Sequence, residues 1–199
     1  MITKEKAISI IKENGGMIRF AEAVSSGINP TTLRTMVQKE QLVKLSRGLY
    51  RLADADPMIN SDFSIIAKKF PNAVICLDSA LTYYNITDII PSEVHIAIRR
   101  GTRVPKNDYP RIKVHKFSDR QFSTGIVTKK IDGVNVKIYD IEKTIVDLTR
   151  MRRRTGLEIV KQAIREYISN RSRDFRKLID YANLCRIKYI LTTYVEAMI

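Results

Sequence analysis

The chain has 199 residues, 44% of them apolar and 28% charged, with eight glycines and six prolines, a composition that builds a folded core and excludes collagen-like, low-complexity and wholly disordered classes. Thirty-five Lys and Arg against 21 Asp and Glu leave a net charge of +14, which points to polyanionic partners. A membrane surface is the weaker alternative, since the chain has no Trp and no isolated basic amphipathic helix.

The N-terminus, Met1 to Lys6, enters charged helix directly, without the apolar core of a signal peptide. Every apolar run falls short of the ~18 residues of a membrane span, so a cytoplasmic location off the membrane is expected. Thr3 is a good N-cap and Gly15-Gly16 a good stop for a first helix with Ala7, Ile8, Ile10 and Ile11 on its apolar side. Phe20, Ala21, Ala23 and Val24 make a short second helix that ends at Ser25-Ser26-Gly27. Asn29 caps a third, with Pro30 at its first position, running to about Glu40. Its stripe of Leu33, Met36, Val37 and the stem of Glu40 faces inward, and Thr31, Arg34, Thr35 and Gln38 face out. Leu42 to Leu45 and Gly48 to Leu52 then read as two strands joined by a Ser46-Arg47-Gly48 turn. Three helices followed by a hairpin predict a winged helix-turn-helix over residues 1–52, with a linker at 53–57, where Ala53-Asp54-Ala55-Asp56 meets Pro57.

Residues 58–199 predict a mixed α/β domain ending in helices, which makes the whole chain α+β. Its elements are a helix around Ser61 to Phe70, a buried strand Ala73 to Leu77, and a helix capped by Asp78 or Ser79 through Tyr84. Two half-buried strands, Val94 to Ile98 and Ile112 to Lys116, precede a hairpin at Ile131-Asp132-Gly133-Val134, where Asp-Gly suits a two-residue type I′ turn. Helical stripes follow at Ile141, Ile145 and Leu148, at Leu157, Val160, Ile164 and Ile168, and from Leu178 onward.

The third helix carries the chemistry of base recognition, because Arg pairs with guanine and Gln with adenine in the major groove. Arg34 and Gln38 are the candidate readers. Thr31, Thr32 and Thr35 are placed for phosphate or a thymine methyl, and Arg19, Lys39, Lys44, Arg47 and Arg51 for phosphate, with Arg47 at the wing tip. The alternative is the same scaffold used for protein contact, its polar stripe simply solvated. Residues 99–130 hold ten basic against two acidic side chains. Arg99, Arg100, Arg103, Lys106, Arg111 and Lys113, with Arg152, Arg153 and Arg154, are the candidate second surface, for nucleic acid or another acidic target. An ordinary solvated basic face is the alternative.

Gly15 to Ile18, Gly27 to Leu33, Leu42 to Tyr50 and the later segment Ile138-Tyr139-Asp140-Ile141-Glu142-Lys143-Thr144-Ile145-Val146-Asp147 resemble the AbiE antitoxins of bacterial abortive-infection systems. The resemblance implies an autorepressor that binds promoter inverted repeats through the winged helix. It also implies an antitoxin of type IV, whose C-terminal domain neutralises a nucleotidyltransferase-like toxin without a stable complex, in defence against phage. It implies no enzyme activity.

The competing class is a metal-dependent nucleic-acid-processing enzyme, for which Asp78, Glu93, Asp140, Glu142 and Lys143 are the only dense candidates. Asp140 and Glu142 are better explained as carboxylates at a helix N-terminus. No phosphate loop or nucleophile elbow is present, so no catalytic residue, metal or cofactor is expected. His95 and His115 are expected to be structural, or in the case of His115 a phosphate contact. Tyr83, Tyr84, Tyr109 and Tyr139 are expected in core or interface ahead of base stacking. Cys76 and Cys185 are expected as buried thiols, with no partners at metal-ligand spacing.

Overall fold

Thr3 accepts a hydrogen bond from the Lys6 amide at 3.4 Å and starts helix α1 (Lys4–Glu13). The computed structural model describes residues 2–56, 61–88, 90–107, 109–169 and 173–198. After α1 come strand β1 (Met17–Arg19), helices α2 (Phe20–Ser25) and α3 (Pro30–Gln38), and strands β2 (Leu42–Ser46) and β3 (Leu49–Leu52). The strands form an antiparallel sheet in the order β1-β3-β2, and Ala7, Ile11, Ile18, Leu33, Met36, Leu42 and Leu52 close one buried core. Strand β1 was not expected. Its three residues are too few to show an alternating pattern, and the pairing of Ile18 with Tyr50 defines it instead. Glu40 is a second correction: Lys39 is the C-cap, and Glu40 turns left-handed (φ 54°) and exposed, so its stem does not join the apolar stripe.

Residues 53–56 are fastened to this module. The Ala53 amide donates to the Gln41 carbonyl at 3.0 Å, and the Arg51 guanidinium donates to the carbonyls of Ala55 and Asp56 at 2.9 and 2.6 Å. Helix α4 (Ser61–Lys69) joins the same unit, because Ile65 buries with Met17 and Leu49 while the Ser64 hydroxyl donates to the Ile131 carbonyl at 3.1 Å. The first compact unit is therefore Met1–Pro71 with the hairpin tip Lys129–Val136, a later division than the break expected at 53–57. Pro57 lies outside the described residues. Within this unit the backbones of Gly15 (φ +77°) and Gly133 touch: a Cβ on Gly15 would lie 2.6 Å from the Gly133 carbonyl. Gly15→Ala combines left-handed strain with a collision against backbone, and is expected to cost roughly 2–5 kcal/mol. An unchanged urea midpoint would contradict this.

The second unit, Asn72–Thr128 with Lys137–Ile199, contains strand β4 (Val74–Ile75), helix α5 (Leu77–Tyr83), strands β5 (Val94–Arg99) and β6 (Ile112–Phe117), and helix α6 (Asp119–Ser123). Strands β7 (Ile126–Ile131) and β8 (Val134–Tyr139) form the hairpin. Its turn has φ 46° at Asp132 and 75° at Gly133, as a type I′ turn requires. Helices α7 (Ile141–Arg150), α8 (Arg152–Thr155), α9 (Leu157–Ser169), α10 (Phe175–Leu184) and α11 (Lys188–Glu196) complete the chain. The sheet order is β6-β5-β4-β8-β7, with β4 antiparallel to β5 and parallel to β8, and β5 parallel to β6.

Three expectations change here. Strand β4 spans two residues, because Leu77 adopts φ 48° and turns the chain into α5. Cys76 is the N-cap of α5 and makes no side-chain cap bond; Ser79 instead accepts from the His95 amide at 2.9 Å. Strand β5 is buried on both faces from Val94 to Ile98, as an interior strand of a mixed sheet is. Cys76 and Cys185 are buried free thiols. No helix among the described residues is long and apolar enough to cross a membrane.

Candidate nucleic-acid interface

Helix α3 is anchored by Asn29, whose side chain accepts from the Thr31 amide at 2.8 Å, and by Leu33 and Met36, each about 1% exposed. Burying those two turns Thr31, Arg34 and Gln38 to the exposed side. Thr32 and Thr35 are half-buried, and the Thr35 hydroxyl donates to the Thr31 carbonyl at 2.9 Å. Lys39, at the end of α3, Lys44, on β2, and Arg47, in the β2–β3 turn, are exposed. Arg19 is half-buried as the N-cap of α2, its amide donating to Glu22 at 3.0 Å. Arg51 stands apart from the set, since its guanidinium is held by the loop carbonyls of Ala55 and Asp56.

In the second unit the expected basic surface divides. Arg100, Lys113 and Arg154 come together with Arg150 around a cavity of about 890 Å³. Arg103, Lys106, Arg111 and Arg153 are exposed and do not line it. Arg99 pairs with Asp119 at 2.9 Å and lies over the Phe122 ring, and Arg152 donates to the Thr149 carbonyl at 3.2 Å. A histidine pair lines the cavity. His95 on β5 lies opposite Lys113 on β6, and His115 opposite Ala97, which puts the imidazoles on one sheet face with centroids 5.1 Å apart. His95 Nδ1 lies 3.4 Å from Asp78 Oδ2. Burial lowers the pKa of His95 against the pull of Asp78. Burial, followed by the charges of His95, Lys113 and the nearby arginines, brings His115 down to about 4, so it is neutral at pH 7.

Asp140 and Glu142 of the enzyme alternative are occupied by other partners. Asp140 caps α7 by accepting from the Lys143 amide at 2.8 Å, and its other oxygen takes Lys177 Nζ at 3.0 Å and the Tyr181 hydroxyl at 3.2 Å. Burial, then Asp140, pushes Tyr181 up to about 12. Glu142 accepts from the Tyr167 hydroxyl at 3.2 Å and pairs with Lys177 at 3.4 Å. Lys143 pairs with Asp147, both fully buried, beneath the rings of Tyr139 and Phe117. Among the described residues no group of three or more His, Cys, Asp or Glu is placed to hold a metal.

Residues 5–53, which contain α3 and its hairpin, match the family AbiEi_4, "Transcriptional regulator, AbiEi antitoxin". The N-terminal module matches the AbiEi antitoxin regulators. This family match ends at residue 53 and does not extend into the second unit. No curated protein matches the chain in sequence. The crystal structure of the RV2827C protein from Mycobacterium tuberculosis has a TM-score of 0.57 at 12% identity, covering 94% of this chain and 75% of that one. At that identity the likeness concerns the fold, a mixed α+β architecture.

Beyond the AbiEi segment, sequence reasoning grouped Arg150 with Arg152 to Arg154 but missed Asp78 as a neighbour of the basic cluster, and did not place His95 beside His115. The pairing of β5 with β6 in parallel register brings the histidines together, and no spacing in the sequence signals that. Of the tyrosines, Tyr139 is buried with its hydroxyl on the Phe122 carbonyl, and Tyr84 donates to the Tyr139 carbonyl. Tyr83 packs edge-on against Tyr84, and Tyr109 is exposed.

Proposed function

We propose that the chain is a transcriptional autorepressor and antitoxin whose N-terminal winged helix-turn-helix reads inverted repeats in its own promoter. The observation that supports this reading is the exposed Thr31, Arg34, Gln38 stripe on α3, backed by Leu33 and Met36, with Lys39, Lys44 and Arg47 beside it inside the AbiEi-matched segment. Arg and Gln on one exposed helical stripe satisfy direct readout, and the flanking cations supply the salt-dependent term. The second unit is assigned neutralisation of a nucleotidyltransferase-like toxin, in the type IV manner and without a stable complex, as abortive-infection phage defence in the cytoplasm. Its basic residues from Arg99 to Lys113 and from Arg152 to Arg154 are the surface for that activity. No catalytic group, metal or cofactor enters the reading.

Substitutions in the full chain separate the two roles better than truncation, since a cut at residue 57 would strip α4 from the first unit. Changing Lys39, Lys44 or Arg47 to Ala is expected to weaken binding to all duplexes alike, each lowering the salt slope by about one. An unchanged slope across the three moves the phosphate footprint elsewhere. In cells expressing the toxin, neutralising Arg99, Arg100, Arg103, Lys106, Arg111 and Lys113 is expected to abolish growth rescue while promoter repression persists. Full rescue by that variant at normal abundance would remove the neutralisation surface from the account.

A further inference from the structure

The cavity of the second unit holds more unsatisfied polar chemistry than a solvated basic face requires. Three buried side-chain atoms around it, Asp78 Oδ1, His115 Nε2 and Arg150 Nε, have no hydrogen-bond partner, and a fourth, His95 Nδ1, has the Asp78 carboxylate 3.4 Å away without hydrogen-bond geometry. Buried polar atoms are normally paired, so a convergent set of orphans marks a place where a ligand completes the bonding. The surroundings fix its sign: Arg100, Lys113, Arg150 and Arg154 approach from three chain segments, against the single carboxylate of Asp78. We propose that this cavity binds the phosphoryl group of a small molecule, as a terminal phosphate ester or a diphosphate.

Arg150 is prepositioned for such a ligand. Its guanidinium donates to Asp147 at 3.3 Å and lies 5.0 Å from the centre of the Phe117 ring, so it is held in place before any ligand arrives. A guanidinium fork fits a tetrahedral oxyanion, while Lys113 adds a mobile ammonium from the edge strand β6. His115, neutral and with Nε2 unpartnered, adds an N–H donor, while His95 Nδ1 lies 3.4 Å from the Asp78 carboxylate. Duplex DNA is the poorer occupant, because His95 is only 5% exposed and a backbone diester held between flanking sugars does not reach it. A terminal phosphate carries no second sugar to hold it off. The volume of about 890 Å³ lies in the ~300–1,000 Å³ range of small-molecule sites and admits the body of a nucleotide behind its phosphates.

The test is calorimetric titration of the full chain at roughly physiological salt with inorganic phosphate, pyrophosphate, ATP and a short blunt duplex without 5′ phosphates. Saturable one-to-one binding of pyrophosphate or ATP is expected. Lys113→Gln, Arg154→Gln and His115→Gln are each expected to weaken it at least tenfold, while Arg103→Gln and Arg153→Gln leave it unchanged. Thermal melts of every variant confirm that the fold is kept, and the three different positions guard against a single variant that does not fold. Much tighter binding of ATP than of pyrophosphate assigns the site to a nucleotide, and equal binding assigns it to the phosphoryl group alone. Absence of saturable binding, indifference to all three cavity variants, or loss of duplex binding in those variants with no effect on pyrophosphate would overturn the proposal.

Discussion

Asp147→Ala is expected to destabilise the second unit by about 3–5 kcal/mol, lowering its melting midpoint by roughly 6–20 °C. Asp147 is about 1% exposed and is shared by Lys143, itself fully buried, and by Arg150. Removing the carboxylate leaves an ammonium in the core with, among the described residues, only the faces of Tyr139 and Phe117, 4.5 and 4.9 Å from Nζ, to offset its lost hydration. Lys143→Met removes the buried cation instead and leaves Asp147 to Arg150. Adding Asp147→Leu to Lys143→Met is expected to be milder than the sum of the single changes, because no charge is then stranded. Additive losses in a double-mutant cycle would mean that the two side chains do not act as a pair. The packing behind the pair is equally tight: a Cβ on Gly125 would lie 2.6 Å from Lys143 Cβ.

Replacing both Arg34 and Gln38 by Ala is expected to remove sequence preference while leaving the module folded. Each bidentate contact to a base edge is worth about 1–3 kcal/mol of discrimination, so the double variant is expected to lose roughly 2–6 kcal/mol of operator preference. Both side chains are exposed on α3, and among the described residues neither makes a hydrogen bond or ion pair that stabilises the fold. The stability change is therefore expected within about ±0.5 kcal/mol for each. Competition between promoter and random duplex in gel-shift titrations measures the loss. Wild-type preference in the double variant would show that another element reads the bases.

The readability of these features follows from the range over which each is determined. Thr3 and Asn29 cap the helices expected of them, and Asp140 stands at the helix N-terminus expected of it, because a cap is a bond across three residues or fewer. Asp132-Gly133 turns as expected because its backbone demands are local. The division of the chain was not legible, since Ile65 reaches Met17 and Ser64 reaches Ile131 across some fifty to seventy positions. The alternation of Val94, Ile96 and Ile98 suggested a half-exposed strand, yet His95 and Ala97 on the other face are buried as well, and helices α5 and α6 both contact β5. At the candidate sites, the α3 stripe was readable from helical spacing. Arg51 was not, because its sequence position gives no sign that the carbonyls of Ala55 and Asp56 return to it. Asp140 and Glu142 read as carboxylates at a helix N-terminus, but their partners Lys177, Tyr167 and Tyr181, far along the chain, were not legible. The histidine pair, twenty residues apart, required the β5–β6 register.

The most direct test of base reading by α3 is methylation protection of guanine N7 on the DNA upstream of the gene, with the full-length protein bound. Arg34 engaging guanine through O6 and N7 predicts protected guanines at symmetric positions in an inverted repeat. In Arg34→Ala those same guanines should regain reactivity at protein concentrations that still occupy the DNA. Protection that persists in Arg34→Ala, or occupancy with no protected guanine in either protein, would contradict the account.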